Sequence, residues 1–333
     1  MEANESIRSI DKEKMFNQKI FLIFSLMVAV SMATPGLYGT ANSVSSSEGT
    51  VFGIFVGNQF KSLVELGEYT AYQNGSDASC TVDDVFYVFG LDGNGDNVLL
   101  SFNTTDPSNS PAPITGSTDA LTAYPLQNLY CVADSEGGLP YMIGVQSRSG
   151  SSGFVISYSD GTYQGILYTS ELNQQYWGSA YDAVGGVVYV FSMDTGSLAT
   201  IVTRYSLVAK AAQSSTLSST SPSGLYGAVF GVDGNIYGIA SSSNGLQLNL
   251  FQYAPQQNQL TIFSHSYTLA PGTELYNGPQ TTMSGTSFAA RYLISTPTVD
   301  MSTLLLTFDI ISTSPTPVVL SNFAVESLSY VLE

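Results

Sequence analysis

Apolar residues recur along this chain in short runs of Val, Ile, Phe and Tyr, broken by clusters of Gly, Asp, Asn and Ser. After residue 33 the 3.6-residue helical spacing is nearly absent, so the pattern predicts strands joined by tight turns. One strongly apolar run is written repeatedly: VFYVFG at 85–90, LPYMIGV at 139–145, VVYVFSM at 187–193 and TSFAARYLI at 286–294. A further strand follows, as in NVLLSFN at 97–103, GFVISYS at 153–159, ATIVTRYSL at 199–207 and LQLNLFQYA at 246–254. A weaker one usually comes next, as in TYQGILYTS at 162–170 and QLTIFSHSY at 259–267. Asp83, Asp134, Asp182 and Asp233 precede four of the strong runs, at spacings of 51, 48 and 51 residues. Their contexts, VDDVF, ADSEGG, YDAVGG and VDGNI, are those of an Asp that caps its own hairpin turn or accepts the left-handed conformation there. Repetition at equivalent places favours that structural role over a metal site.

Gly36-Leu37-Tyr38-Gly39 reappears as Gly224-Leu225-Tyr226-Gly227, which aligns a first unit beginning at residue 36 with a later one. Units of about four antiparallel strands at a period of ~40–50 residues are blades of a β-propeller. A single unit cannot bury both its faces, and radial stacking of neighbours supplies the core. The fold class is therefore all-β, a propeller over 34–333 with six units at about 36–75, 78–118, 127–172, 176–220, 224–268 and 276–320. A closing segment, 322–333, either completes the first unit or begins a truncated seventh. Two packed β-sandwiches are the alternative, but they do not require the recurrence. In period and strand pattern, residues 36–333 resemble the six- and seven-bladed propeller superfamilies, among them gluconolactonase and strictosidine-synthase-like proteins. The lactonase-like members bind a divalent cation in the central channel through acidic and amide side chains. No motif here matches closely enough for catalytic residues to be carried over, so none is assigned.

The start of the chain bears on compartment. Lys12, Lys14 and Lys19 precede the apolar run Ile20–Ala33. Its 14 residues fall short of the ~20 that span a bilayer. With small residues at Ser31 and Ala33, residues 1–33 read as a cleaved secretory signal, leaving Thr34 as the mature N-terminus. Met15 is an alternative start, and a buried helix or signal anchor is the alternative structure. A secreted protein, with no stable membrane insertion after cleavage, is the expectation. Asn74-Gly75-Ser76 and Asn103-Thr104-Thr105 are glycosylation acceptors that such a route would use. The only two cysteines, Cys80 and Cys131, each lie three residues before a recurring Asp. They therefore fall at the same place on the first strands of consecutive units, near the axis where neighbouring strands converge. An oxidising compartment then predicts a disulfide between them; two buried thiols are the alternative.

Charge narrows the partners. Only 11% of residues are charged and the formal net charge is −17, so nucleic acid and anionic lipid are excluded as natural partners. Asp92, Asn94 and Asp96 place oxygens at positions 1, 3 and 5 of a Gly-rich loop, a spacing that suits Ca²⁺. Position 12 of that loop is Asn103 rather than a bidentate Glu, and calcium is the one cofactor the sequence raises. Gly285-Thr286-Ser287-Phe288-Ala289 echoes a serine-protease nucleophile segment, but Ala290-Arg291-Tyr292-Leu293 continues as a strand. The only histidine, His265, lies on an expected outer strand, so a catalytic triad lacks its base. Trp177 fits packing between units. What remains is a binding or extracellular structural module for protein or glycan, with a metal-dependent lactonase-like hydrolase as the competing reading.

Overall fold

A computed structural model describes residues 36–43, 50–56, 59–71, 79–109, 111–114, 126–132, 141–147, 153–159, 162–171, 173–217, 224–242, 245–275, 280–297, 299–320 and 323–331. The leader, Asn74 and Asp134 lie outside them. Among the described residues the only helical element is one 3-10 turn, Pro107–Asn109, and everything else is strand or turn.

The strands form six antiparallel sheets. The first orders as β26 (Phe323–Val331), β1 (Gly36–Ser43), β2 (Thr50–Val56) and β3 (Gln59–Glu65). In the second, β6 (Val85–Leu91) pairs with both β4 (Thr70–Ala71) and β5 (Ser79–Val82), followed by β7 (Asn97–Asn103) and β8 (Ala112–Ile114). The third runs β9 (Leu126–Val132), β10 (Tyr141–Ser147), β11 (Gly153–Ser159) and β12 (Thr162–Thr169). The fourth is β13 (Gln174–Asp182), β14 (Val187–Asp194), β15 (Thr200–Ser206) and β16 (Ala211–Thr216). The fifth is β17 (Gly224–Phe230), β18 (Ile236–Ser241), β19 (Gln247–Ala254) and β20 (Gln259–Thr268). In the last, β21 (Glu274–Leu275) and β22 (Gln280–Ser284) both pair with β23 (Ser287–Thr296), and β24 (Val299–Asp309) and β25 (Pro315–Leu320) complete it.

Five sheets are drawn from continuous stretches and the first is composite. Residues 36–65 supply three of its strands, and β26 adds the innermost, with Leu37 opposite Tyr330 and Gly39 opposite Leu328. This corrects the expected first unit. Gly36–Gly39 begins a second strand, whereas Gly224–Gly227 begins an inner one, so the two tetrapeptides are not equivalent. Thr70–Ala71, placed in the first unit by the sequence, pairs instead with Leu91 and Gly90 of the second sheet.

Apolar clusters weld each sheet to the next. Phe52 packs with Phe86 and Phe102 across the first seam, their ring centroids 5.2 and 4.4 Å from Phe52. Trp177 and Phe191 meet Phe251 and Tyr253 between the fourth and fifth sheets. Leu37 and Leu328 meet Ala289 and Leu305 where the last sheet returns to the first. The second strand of a sheet serves both seams. Along β14, Val188 and Val190 face the third sheet, while Tyr189 and Phe191 face the fifth. Burial on both faces is why these strands read as unbroken apolar runs. Outer strands are the reverse: β16 is exposed at five of its six residues.

Inner strands pack edge to edge around the axis in the order β26, β5, β9, β13, β17, β22 and back to β26. Where β13 meets β17, both strands bulge, at Trp177 and at Gly227. Gly178 there lies so near its neighbour that a β-carbon would stand 3.1 Å from the Gly227 amide nitrogen, and Gly227 itself takes a φ of 45°. A side chain at 178 would require the facing strand to give by a few tenths of an ångström, and the left-handed φ at 227 favours glycine.

Candidate functional site: the axial cavity

All six inner strands contribute to one cavity of about 210 Å³ on the axis. Ser79–Thr81 come from β5, Asn128–Cys131 from β9, Tyr181 from β13, Ala228 and Val229 from β17, Thr281–Met283 from β22, and Leu328–Tyr330 from β26. Most of these positions fall in the C-terminal halves of their strands. The cavity therefore lies toward the face that carries the turns between first and second strands. Ser79, Thr81, Thr281, Thr282 and Ser329 bring small hydroxyls to the wall, alongside apolar residues and the tyrosines Tyr130, Tyr181 and Tyr330. Among the described residues that line the cavity, none is an Asp, Glu, Lys, Arg or His.

Its wall is held by hydrogen bonds between strands. The Asn128 amide Nδ2 donates to the Tyr130 hydroxyl at 3.1 Å, and the Tyr176 hydroxyl donates to Asn128 Oδ1 at 3.4 Å. Ser179 Oγ lies 2.8 Å from the Tyr130 hydroxyl and 3.1 Å from that of Tyr176. Burial pushes both phenols far above their usual range, so they stay neutral. On the opposite side, Ser79 Oγ donates to the Leu328 carbonyl at 3.1 Å and Thr81 Oγ1 to that of Tyr330 at 2.6 Å. Thr282 Oγ1 accepts the Tyr330 N–H at 3.0 Å. The bonds that join β9 to β13, β5 to β26 and β22 to β26 do what a ladder does inside a sheet, but across sheets that share no ladder.

The Cys80–Cys131 disulfide forms part of the wall. It joins β5 to β9, with Cα atoms 5.6 Å apart, at the adjacent first-strand positions that the repeat implied.

The other sequence candidates lie elsewhere. Asp92–Asp96 turn between β6 and β7, at the end of the propeller away from the cavity. Asp92 Oδ1 accepts the N–H groups of Asn94 at 2.8 Å and Asp96 at 2.9 Å. The bond from Asp96 leads those that hold the Asp92 carboxyl below its ordinary value. That oxygen thus serves the turn. Among the described residues no three His, Cys, Asp or Glu side chains come together as a metal site. Asn103, at the end of β7, is exposed, and its Oδ1 accepts the Thr105 N–H at 2.9 Å and hydroxyl at 2.6 Å.

Three of the recurring Asp residues do turn work. Asp83 takes a φ of 49°, Asp182 Oδ1 accepts the Val184 and Gly185 N–H groups, and Asp233 Oδ1 accepts that of Asn235. His265 is exposed on β20 with Nδ1 3.0 Å from Thr313 Oγ1, and Ser287 opens β23 with Oγ 3.3 Å from the Tyr330 hydroxyl. The two do not meet.

Sequence reasoning missed Asn128, Tyr130, Tyr181 and Tyr330. They sit on the inner strands, whose mixed polar and aromatic composition gives no strong period. The one usable signal was position, since Tyr130 and Tyr181 lie just ahead of Asp134 and Asp182.

No protein-family model matches the chain, and no curated protein matches it. Solved structures do. A chain of a nidogen/laminin complex superposes with a TM-score of 0.54 at 12% identity, covering 90% of this chain and 99% of its own. A periplasmic gluconolactonase from Pseudomonas aeruginosa gives 0.54 at 13%, with the same coverage. Identities this low speak for architecture alone. The sheet order, the ring of inner strands and these two superpositions together establish that the chain is a β-propeller.

Proposed function

We propose that this chain is a secreted, acidic propeller acting as an extracellular binding module, with a glycan or protein ligand received at the axial cavity. The observation that carries the proposal is the chemistry of that cavity, built by every inner strand and lined, among the described residues, without a charged side chain. A cation-dependent hydrolase needs hard anionic oxygen donors converging on its metal. The described lining offers hydroxyls, one carboxamide and the phenols of Tyr130, Tyr181 and Tyr330, and burial keeps that of Tyr130 protonated. The disulfide is consistent with an oxidising compartment. Fold does not choose between the readings, since one similar structure is a protein complex and the other a lactonase.

Metal analysis of the purified chain, a glycan array and a lactone-hydrolysis assay test the proposal together. Ligand retention that is lost on Asn128→Phe, with no EDTA-sensitive hydrolysis, is the expected result. Lactone hydrolysis abolished by EDTA and by that same substitution overturns it. Calcium at the Asp92–Asp96 loop is a separate proposal, and an unchanged melting temperature in millimolar calcium would defeat it.

A further inference from the structure

Tyr130, Tyr181 and Tyr330 are half-buried where they line the axial cavity, and the rings of Tyr130 and Tyr181 lie 5.7 Å apart at a 40° tilt. Half-buried Asn128 and Thr81 line the same cavity. An ion entering this space would shed its hydration without meeting a counter-charge from the described lining, a net loss. Anions are further opposed by the chain's charge of −17. The Asn128 amide and the Thr81 hydroxyl are bonded within the wall, yet each oxygen keeps a lone pair that a wholly apolar ligand would leave unmet. The wall suits a neutral molecule with an apolar face and hydroxyls on its edge. Size sets a limit as well, because about 210 Å³ falls below the ~300–1,000 Å³ typical of drug-sized sites.

We propose that the cavity takes one uncharged pyranose ring, the terminal residue of a neutral glycan. Its C–H face packs on the tyrosines, and its hydroxyls bond to Asn128 and the neighbouring hydroxyl side chains. The inference rests on the binding-module reading above and narrows it to one ligand class.

The test is calorimetric titration of the full chain with methyl glycosides of glucose, galactose, mannose and N-acetylglucosamine, and of glucuronate and galacturonate. At least one neutral glycoside should bind, with the corresponding uronate at least tenfold weaker. Tyr181→Ala and Tyr330→Ala should each weaken that binding at least tenfold, while the exposed-turn variant Gln256→Ala leaves it unchanged. Melting curves confirm that the variants are folded, and Tyr181→Phe, which keeps the ring, should retain most affinity. Equal or tighter uronate binding overturns the inference, as does binding indifferent to both tyrosine truncations or no binding by any neutral glycoside. If a protein ligand is instead captured and lost on Tyr181→Ala, the sugar is refuted and the binding-module reading stands. EDTA-sensitive lactone hydrolysis lost on the same substitution removes both.

Discussion

Removing the Cys80–Cys131 bond should cost the propeller a large part of its stability. The two residues are 51 apart in sequence, and cross-linking a loop of that length removes about 4 kcal/mol of unfolded-chain entropy. Native strain subtracts little, because the Cα separation of 5.6 Å lies within the ~4.4–6.8 Å that disulfides ordinarily span. Alanine is the substitution of choice, since Cys80 sits in an apolar cluster with Tyr87, Leu129 and Met142 and a hydroxyl there would add its own burial cost. Urea denaturation of the parent, of Cys80→Ala and of Cys80→Ala/Cys131→Ala reads the difference, with the parent also measured in reductant. Single variant, double variant and reduced parent should all fall by about 4 kcal/mol, because each lacks the same cross-link. Amide exchange should accelerate first at Ser79–Val82, a four-residue strand that the bond ties to β9. A double variant within about 1 kcal/mol of the parent would refute the entropic account. Two titratable thiols in the denatured, unreduced protein would refute the bond itself.

Three further outcomes are expected. Gly178→Val should destabilise by about 1–3 kcal/mol, read by urea denaturation, because its β-carbon would press on the Gly227 nitrogen 3.1 Å away; an unchanged midpoint would mean the inner strands separate freely. Burial, and then the hydrogen bond to Asp233, push the Tyr237 phenol up to about 12 from an ordinary 10.0. A raised folded pKa favours the protonated phenol, so its stabilising contribution is complete below pH 10 and is lost as pH rises through 12. Tyr237→Phe should therefore flatten the alkaline limb of stability against pH, and a limb unaltered by that change would contradict the assignment. Finally, secretion from eukaryotic cells should add an N-glycan at exposed Asn103, seen as a mass shift lost on Asn103→Gln, and a chain secreted without one would count against the secretory reading.

The strands that sequence revealed most clearly are those buried on both faces. Val188 and Val190 must meet one neighbouring sheet and Tyr189 and Phe191 the other, so the stretch VVYVF at 187–191 runs apolar without interruption. The turn role of Asp182 and Asp233 was equally legible, because an Asx turn is made by residues two or three apart in the chain. The cysteine pair followed from the same recurrence. Local chemistry and period therefore determined the strand class, the turns and the four-strand grammar.

What only the tertiary structure decided depends on residues far apart in sequence. Gly36–Gly39 and Gly224–Gly227 share a tetrapeptide but occupy a second strand and an inner strand. Nothing within either peptide distinguishes them, since the difference lies in whether β26 pairs alongside, as it does with β1. Arg291 stands in the run TSFAARYLI at a fully buried position, a burial imposed by the sheets on either side rather than by its own chemistry. The axial cavity is the extreme case. It exists because six inner strands converge, and each supplies only one to four residues to its wall. Asn128, Tyr130, Tyr181 and Tyr330 come to share one cavity wall through closure of the ring, a property that no single segment contains.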